Sequence, residues 1–120
     1  MAGSKDGLKD RLARHNQIKI SVVGRKSGRT ISIPVWFVLE GDKLYLLPVQ
    51  GSDTQWYRNV LKNRSIRIST RGDEAECRAA PVTDAKTVRL IVEAFQEKYP
   101  ARDVKKYYSK FDVAVVVELM

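Results

Sequence analysis

The run Ile18-Lys-Ile-Ser-Val-Val-Gly24-Arg25-Lys26-Ser27-Gly28-Arg29-Thr-Ile-Ser-Ile-Pro34-Val-Trp36-Phe-Val-Leu39 decides the fold. Ile18, Ile20 and Val22 alternate with polar or surface positions, which predicts a half-buried strand over residues 17–23. Ile31 to Leu39 is rich in β-branched and aromatic residues and predicts a second strand. Pro34 lies inside that strand and has no amide for a ladder, so the strand belongs at a sheet edge or carries a bulge. Gly24 to Arg29 is the hairpin-type turn between the two.

Working toward the C-terminus, Gly41-Asp42 makes a tight turn into a third strand, Lys43 to Pro48, which would complete a meander. Asp53 is placed to cap a helix over residues 54–62, with Trp56, Val60 and Leu61 on one face and Asn63 as its stop. Ser65 to Thr70 alternates and predicts a fourth strand, which Arg71-Gly72-Asp73 turns into a fifth, Glu74 to Val82. Asp84 caps a helix in which Val88, Ile91, Val92 and Phe95 follow helical spacing, with Pro100 just past its end. A short helix near residues 102–109 leads to a last strand, Val113 to Leu119, apolar enough to be buried. Toward the N-terminus, residues 4–15 read as a weak amphipathic helix that Ser4 could cap, with Leu8 and Leu12 one turn apart.

The expected architecture is therefore α+β, in one domain over residues 1–120, with residues 1–16 as a helical extension. Its six strands form a mostly antiparallel sheet closed into a small barrel, flanked by three to four helices.

The 120 residues carry a formal net charge of +8, unevenly placed. Residues 1–30 hold eight Lys or Arg against two acids, so one end of the protein attracts anions. A nucleic acid, a membrane surface and a phosphorylated small molecule all suit that charge. Cys77 is the only cysteine, which leaves no intramolecular disulfide and no cysteine-based metal cluster. Its expected role is inert packing. His15 is the only histidine, so multi-histidine metal sites are excluded, and a helix C-terminal cap or surface group is its expected role. No stretch approaches the roughly 18 apolar residues of a membrane span, and the first residues lack an apolar signal core, so a cytoplasmic location is expected.

Three segments could carry chemistry. Arg25, Lys26 and Arg29 supply fixed positive charge, Ser27 adds a hydroxyl, and the flanking glycines permit close backbone approach, which suits a phosphate. It is not a Walker loop, because Arg25 stands where that motif needs a glycine. The same composition also suits a solvated hairpin turn. Trp36, Tyr45, Trp56 and Tyr57 could fill a core or line a ring-binding groove. Gln50-Gly51-Ser52, between a strand end and a helix start, could meet an anion or the polar edge of a heterocycle, or simply cap the helix.

Taken in order, Gly24-Arg-Lys-Ser-Gly28, then Arg29, Pro34-Val-Trp36, Gly41, Lys43-Leu-Tyr-Leu-Leu47, Gly51, Trp56-Tyr57-x-Asn59-Val-Leu and Lys98-Tyr99-Pro100 resemble the deazaflavin-dependent nitroreductase or quinone reductase family. The resemblance runs from about Ile18 to the C-terminus. It implies a split β-barrel that binds the anionic deazaflavin coenzyme F-420. The implied reaction moves hydride from the reduced cofactor to an electrophilic organic acceptor such as a quinone, nitro compound or activated alkene. By family position, Arg25, Lys26, Ser27 and Arg29 would hold the phosphate and tail. Pro34, Trp36, Leu47, Val49, Gln50, Gly51, Trp56 and Asn59 would line the ring site, and Tyr107 or Tyr108 could donate a proton. The chain departs from the family at Gln50, where Lys is frequent, in its short Ser52 to Gln55 loop, and in the late-helix tyrosines. These departures leave FMN, which the wider split-barrel superfamily often uses, as the alternative cofactor. A basic nucleic-acid-binding module ranks below both, and nucleic acid is not the expected partner. Split barrels commonly pair as homodimers, and the basic N-terminus could touch a membrane surface.

Overall fold

A computed structural model describes residues 17–70 and 73–119. Strands β1 (Ile18–Val23) and β2 (Thr30–Val35) form the leading hairpin, with Ile20 opposite Ile33 and Lys19 opposite Pro34. Strands β3 (Val38–Glu40) and β4 (Lys43–Leu46) follow, then helix α1 (Gln55–Lys62), β5 (Ser65–Thr70), β6 (Asp73–Val82), helices α2 (Ala85–Lys98) and α3 (Ala101–Tyr107), and β7 (Ala114–Glu118). The strands form one sheet in the order β2-β1-β5-β6-β7-β4-β3, antiparallel at every step.

Strands β2 and β3 are consecutive in the chain yet occupy opposite edges of the sheet. A flat sheet of six intervals would hold those edges about 29 Å apart. Only Trp36 and Phe37 join Val35 to Val38, a path of at most about 11 Å. The sheet must curl until its edges nearly meet, and the result is an α+β split barrel with its seam at Trp36-Phe37.

That seam corrects the expected six strands to seven. The apolar run Ile31 to Leu39 is continuous in composition but belongs to two strands, so the three leading strands form no meander. Pro34 lies on an edge strand, one of the two placements its missing N–H allows. Along β1, Ile18, Ile20 and Val22 point into the barrel with Leu44, Leu46, Ile66, Ile68, Val115 and Val117. A second apolar cluster lies outside the sheet, where α2 and α3 set Val88, Ile91, Phe95 and Val104 against Val38, Leu47 and Ala114. Strand β7 is therefore covered on both faces, which explains its unbroken apolar run.

Two helix details differ from expectation. Asp53 does not cap α1. It ends a short 3-10 turn, Gly51–Asp53, and Thr54 occupies the cap position. The Thr54 hydroxyl accepts the Gln50 amide at 2.8 Å instead of capping the helix. Leu61 is exposed, and the buried face of α1 is Trp56, Tyr57, Asn59 and Val60. Asp84 does cap α2, accepting the Thr87 amide at 2.9 Å. The expected N-terminal helix, His15 and the Arg71-Gly72 part of the β5–β6 turn lie outside the described residues.

Candidate functional site

The seam opens into a cavity of about 520 Å³. Because β2 ends there as an edge strand, residues from both of its faces, Ile33 to Val35, reach the cavity along with Trp36. Leu47 and Val49 come from the end of β4, and Trp56 from the first turn of α1. Tyr107 and Tyr108 close the far side from the end of α3. The walls are mainly apolar and aromatic, and among the described residues no charged side chain lines them.

The aromatic wall is built on α2. Tyr99, at its C-terminal cap, stacks beneath Trp36 with ring centroids 4.3 Å apart and planes 10° from parallel. Tyr107 meets Trp36 edge-on at 5.4 Å, and Tyr108 lies 6.0 Å away. Burial, and to a lesser degree the neighbouring Tyr99, pushes the Tyr108 phenol far above the ordinary tyrosine value. It stays protonated throughout the neutral range.

A strap of hydrogen bonds holds Tyr107 and Tyr108 over the cavity. The Ser109 amide donates to the Val49 carbonyl at 2.8 Å. Asp112 accepts the Ser52 amide at 2.9 Å, and Lys110 pairs with Asp53 at 3.2 Å and with Asp112 at 3.6 Å. Arg58 pairs with Asp53 at 3.0 Å. Gly51 lies beneath this strap with φ +56°, and a Cβ there would run into the Asp112 carboxylate and the Lys110 side chain.

The cationic turn lies beside α1. The Gly24 amide donates to the Arg29 carbonyl at 2.8 Å, and Ser27 Oγ accepts the Arg29 amide at 3.1 Å. Gly28, at φ +72°, supplies the left-handed residue that closes the turn. Arg25 reaches across to the helix. Its Nη1 donates to Asn59 Oδ1 at 2.7 Å and its Nη2 to Gln55 Oε1 at 2.8 Å, while its amide donates to the same Asn59 oxygen at 3.1 Å. Lys26 and Arg29 are exposed and form no ion pair among the described residues.

Of the residues expected at a ring site, Pro34, Trp36, Leu47, Val49 and Trp56 gather around the cavity with Tyr107 and Tyr108. Gln50, Gly51 and Asn59 do not line it. Gln50 is exposed and forms a bridge with Lys110, Gly51 is held under the strap, and Asn59 is buried against Arg25. Sequence reasoning missed Gln17, Ile33, Val35 and the supporting ring of Tyr99. The signal for Ile33 and Val35 was present, since an edge strand beside Pro34 has no second neighbour to cover it. Tyr99 left no such signal, because its contacts cross 62 residues of chain. Among the described residues no cluster of His, Cys, Asp or Glu could hold a metal, and no described helix is long and apolar enough to cross a membrane.

Comparison with solved structures supports the fold. An F-420-dependent reductase (FDR-A) superposes with a TM-score of 0.63 at 21% identity, over 87% of this chain and 95% of the other. A pyridoxamine 5'-phosphate oxidase proposed from Listeria innocua gives 0.67 at 15%, over 94% and 90%. The heme storage protein HutZ of Vibrio cholerae gives 0.70 at 12%, over 96% and 89%. One barrel thus serves proteins with different names and ligands, and at these identities the similarity establishes the fold alone. None of the curated proteins compared with the chain matches it. A family match spans residues 9–119, all the strands and helices described, and by it the chain belongs to the family described as uncharacterized protein conserved in bacteria (DUF2255).

Proposed function

We propose that the protein is an oxidoreductase that binds a phosphorylated flavin-type ring and reduces a small electrophilic organic acceptor. The deazaflavin coenzyme F-420 is the first candidate and FMN the second. The observation that carries this reading is one adjacency. An apolar, aromatic-walled cavity and a cationic turn meet on neighbouring residues of one helix, Trp56 and Gln55. The cavity volume falls in the range of small-molecule sites, about 300–1,000 Å³. Lys26 and Arg29 lie in the turn that leads into β2, and Ile33 is four residue steps beyond Arg29, about 13 Å at strand rise. That separation suits a flat ring linked by a short chain to a phosphate.

A reduced ring of this kind supplies the hydride when bound. The chain's own residues do the rest. Trp36 and Trp56 flank the cavity and exclude water, and Lys26 and Arg29 hold the phosphate. Tyr108 keeps its phenol proton, and Tyr107 or Tyr108 can deliver a proton to the acceptor after hydride transfer. The similarity to an F-420-dependent reductase over most of both chains supports ranking the deazaflavin ahead of FMN, as does the order of sequence motifs from Gly24 to Pro100.

Titration of the purified protein with coenzyme F-420 and with FMN, followed by tryptophan fluorescence, tests the reading. Saturable quenching at micromolar ligand is expected, since Trp36 and Trp56 border the site. Absence of binding by either ligand at that level would overturn it.

A further inference from the structure

We infer that Arg25 is a positioning residue: it locks the cationic turn onto helix α1 through Asn59 and Gln55, and leaves the ligand phosphate to Lys26 and Arg29. This rests on the flavin-type reading of the cavity and assigns the residues that set its phosphate specificity.

Three bonds carry the inference. Asn59 Oδ1 accepts both the Arg25 amide at 3.1 Å and Arg25 Nη1 at 2.7 Å, so both acceptor positions of that oxygen are filled from one residue. Arg25 Nη2 donates to Gln55 Oε1 at 2.8 Å. Both terminal nitrogens of the guanidinium therefore face acceptors on the helix. Asn59 is only 4% exposed, and a buried amide oxygen needs such partners. Lys26 and Arg29, by contrast, extend into solvent from the same turn.

The fork also couples the two ends of the site. Gln55 precedes Trp56, which walls the cavity, and Asn59 lies one helical turn later on the same helix. Releasing Arg25 frees the turn from α1 and loosens the Trp56 wall together. Ligands with and without a phosphate then lose affinity by the same factor. A residue that gripped the phosphate would instead affect only the phosphorylated ligand.

The test compares two ligand pairs: FMN with riboflavin, and coenzyme F-420 with its phosphate-free deazaflavin nucleoside. Arg25→Lys keeps the charge and loses the fork. Asn59→Leu removes the acceptor, and Asn59→Asp keeps it. Arg25→Lys and Asn59→Leu are each expected to raise Kd about tenfold for both members of the tighter-binding pair. Their ratio should stay within about twofold of wild type, and the double variant should be no weaker than either single one. Asn59→Asp should retain wild-type affinity. Lys26→Ala/Arg29→Ala should instead collapse the ratio.

The inference is overturned if Arg25→Lys binds like wild type while Arg25→Ala collapses the ratio, because Arg25 would then serve the phosphate through its charge. It is also overturned if the losses from Arg25→Lys and Asn59→Leu simply add. If wild type binds no member of either pair, the cofactor reading fails instead. Trp56 emission in a Trp36→Phe background then decides the role of Arg25. The same non-additive shift in Arg25→Lys and Asn59→Leu upholds the coupling, and no shift removes it.

Discussion

The Tyr99 hydroxyl accepts the Phe37 amide at 3.2 Å and donates to the Phe37 carbonyl at 2.9 Å. Phe37 lies in the seam between two sheet edges, where no strand among the described residues offers it a ladder. One phenol from the end of α2 supplies that residue with both the acceptor and the donor that a neighbouring strand would give. Tyr99→Phe should therefore cost about 1–3 kcal/mol of unfolding free energy, because it leaves a buried amide unpaired. Urea denaturation measures this, and a change of only a few tenths would refute it. Tyr99→Leu also removes the ring under Trp36, so it should cost more and shift Trp36 emission to the red.

Lys98 places its ammonium 2.8 Å from the same Phe37 carbonyl and 3.6 Å from the centroid of the Phe37 ring. Burial lowers its pKa from 10.5 to about 8. The unfolded chain then binds more protons than the native one between those two values, so this group makes the protein more stable as pH rises from 8 toward 10.5. Tyr57, Tyr99 and Tyr108 act in the opposite sense, because burial raises each above the ordinary value of 10.0. Their stabilisation is present below that value and is lost as pH climbs past it. Comparing wild type with Lys98→Met by thermal melts between pH 8 and 10 separates the two effects. The wild type should gain over that interval relative to the variant, and parallel curves would contradict the assignment.

Gly51 combines a positive φ with an occupied Cβ direction. Gly51→Ala should cost about 2–4 kcal/mol, from left-handed strain and from displacement of the strap. Double substitution with Asp112→Ala should recover part of the loss, since it clears one of the colliding groups. Full additivity in chemical denaturation would show that the collision does not matter.

Asp112 holds the strap to the 3-10 turn. Burial tends to raise its pKa, but donation from Ser52 and the charge of Lys110 outweigh that and lower it. Asp53 is lowered as well, chiefly by Lys110. A depressed folded value means stabilisation that is present above the ordinary carboxylate value and is lost as pH falls through the folded one. At neutral pH, Asp112→Ala should raise hydrogen exchange at the Ser52 amide by about tenfold. Below the folded pKa, wild type and variant should exchange alike. A difference that persists in acid would place the control elsewhere.

Much of the fold was legible because its signals are local. Alternation in β1 and β5, the Asp84 cap and the helical spacing of Val88, Ile91 and Phe95 each need only a few neighbouring residues. The errors share one cause. Ile31 to Leu39 reads as one strand because composition records β-propensity and not which partner each half will find. Leu61 reads as a buried position because spacing alone does not say which side of α1 faces the barrel. Within the site, Pro34, Trp36, Leu47, Val49 and Trp56 were visible as motifs, whereas Ile33 and Val35 were not singled out. Gln50 and Gly51 were also singled out, but the structure ties them to Lys110 and Asp112, on a segment 60 residues later.

The Gly24 to Arg29 turn, its charge and the restriction that Pro34 puts on the neighbouring strand, to a sheet edge or a bulge, follow from the sequence by itself. They depend on backbone freedom, fixed charge and a missing amide, which are properties of single residues. Only the tertiary structure decided that the barrel splits at Trp36-Phe37, that Tyr99 closes the seam, and that Arg25 turns inward to Asn59 while Lys26 and Arg29 stay exposed. Each of these depends on which distant segments meet when the sheet curls, and that is set by the whole hydrophobic core.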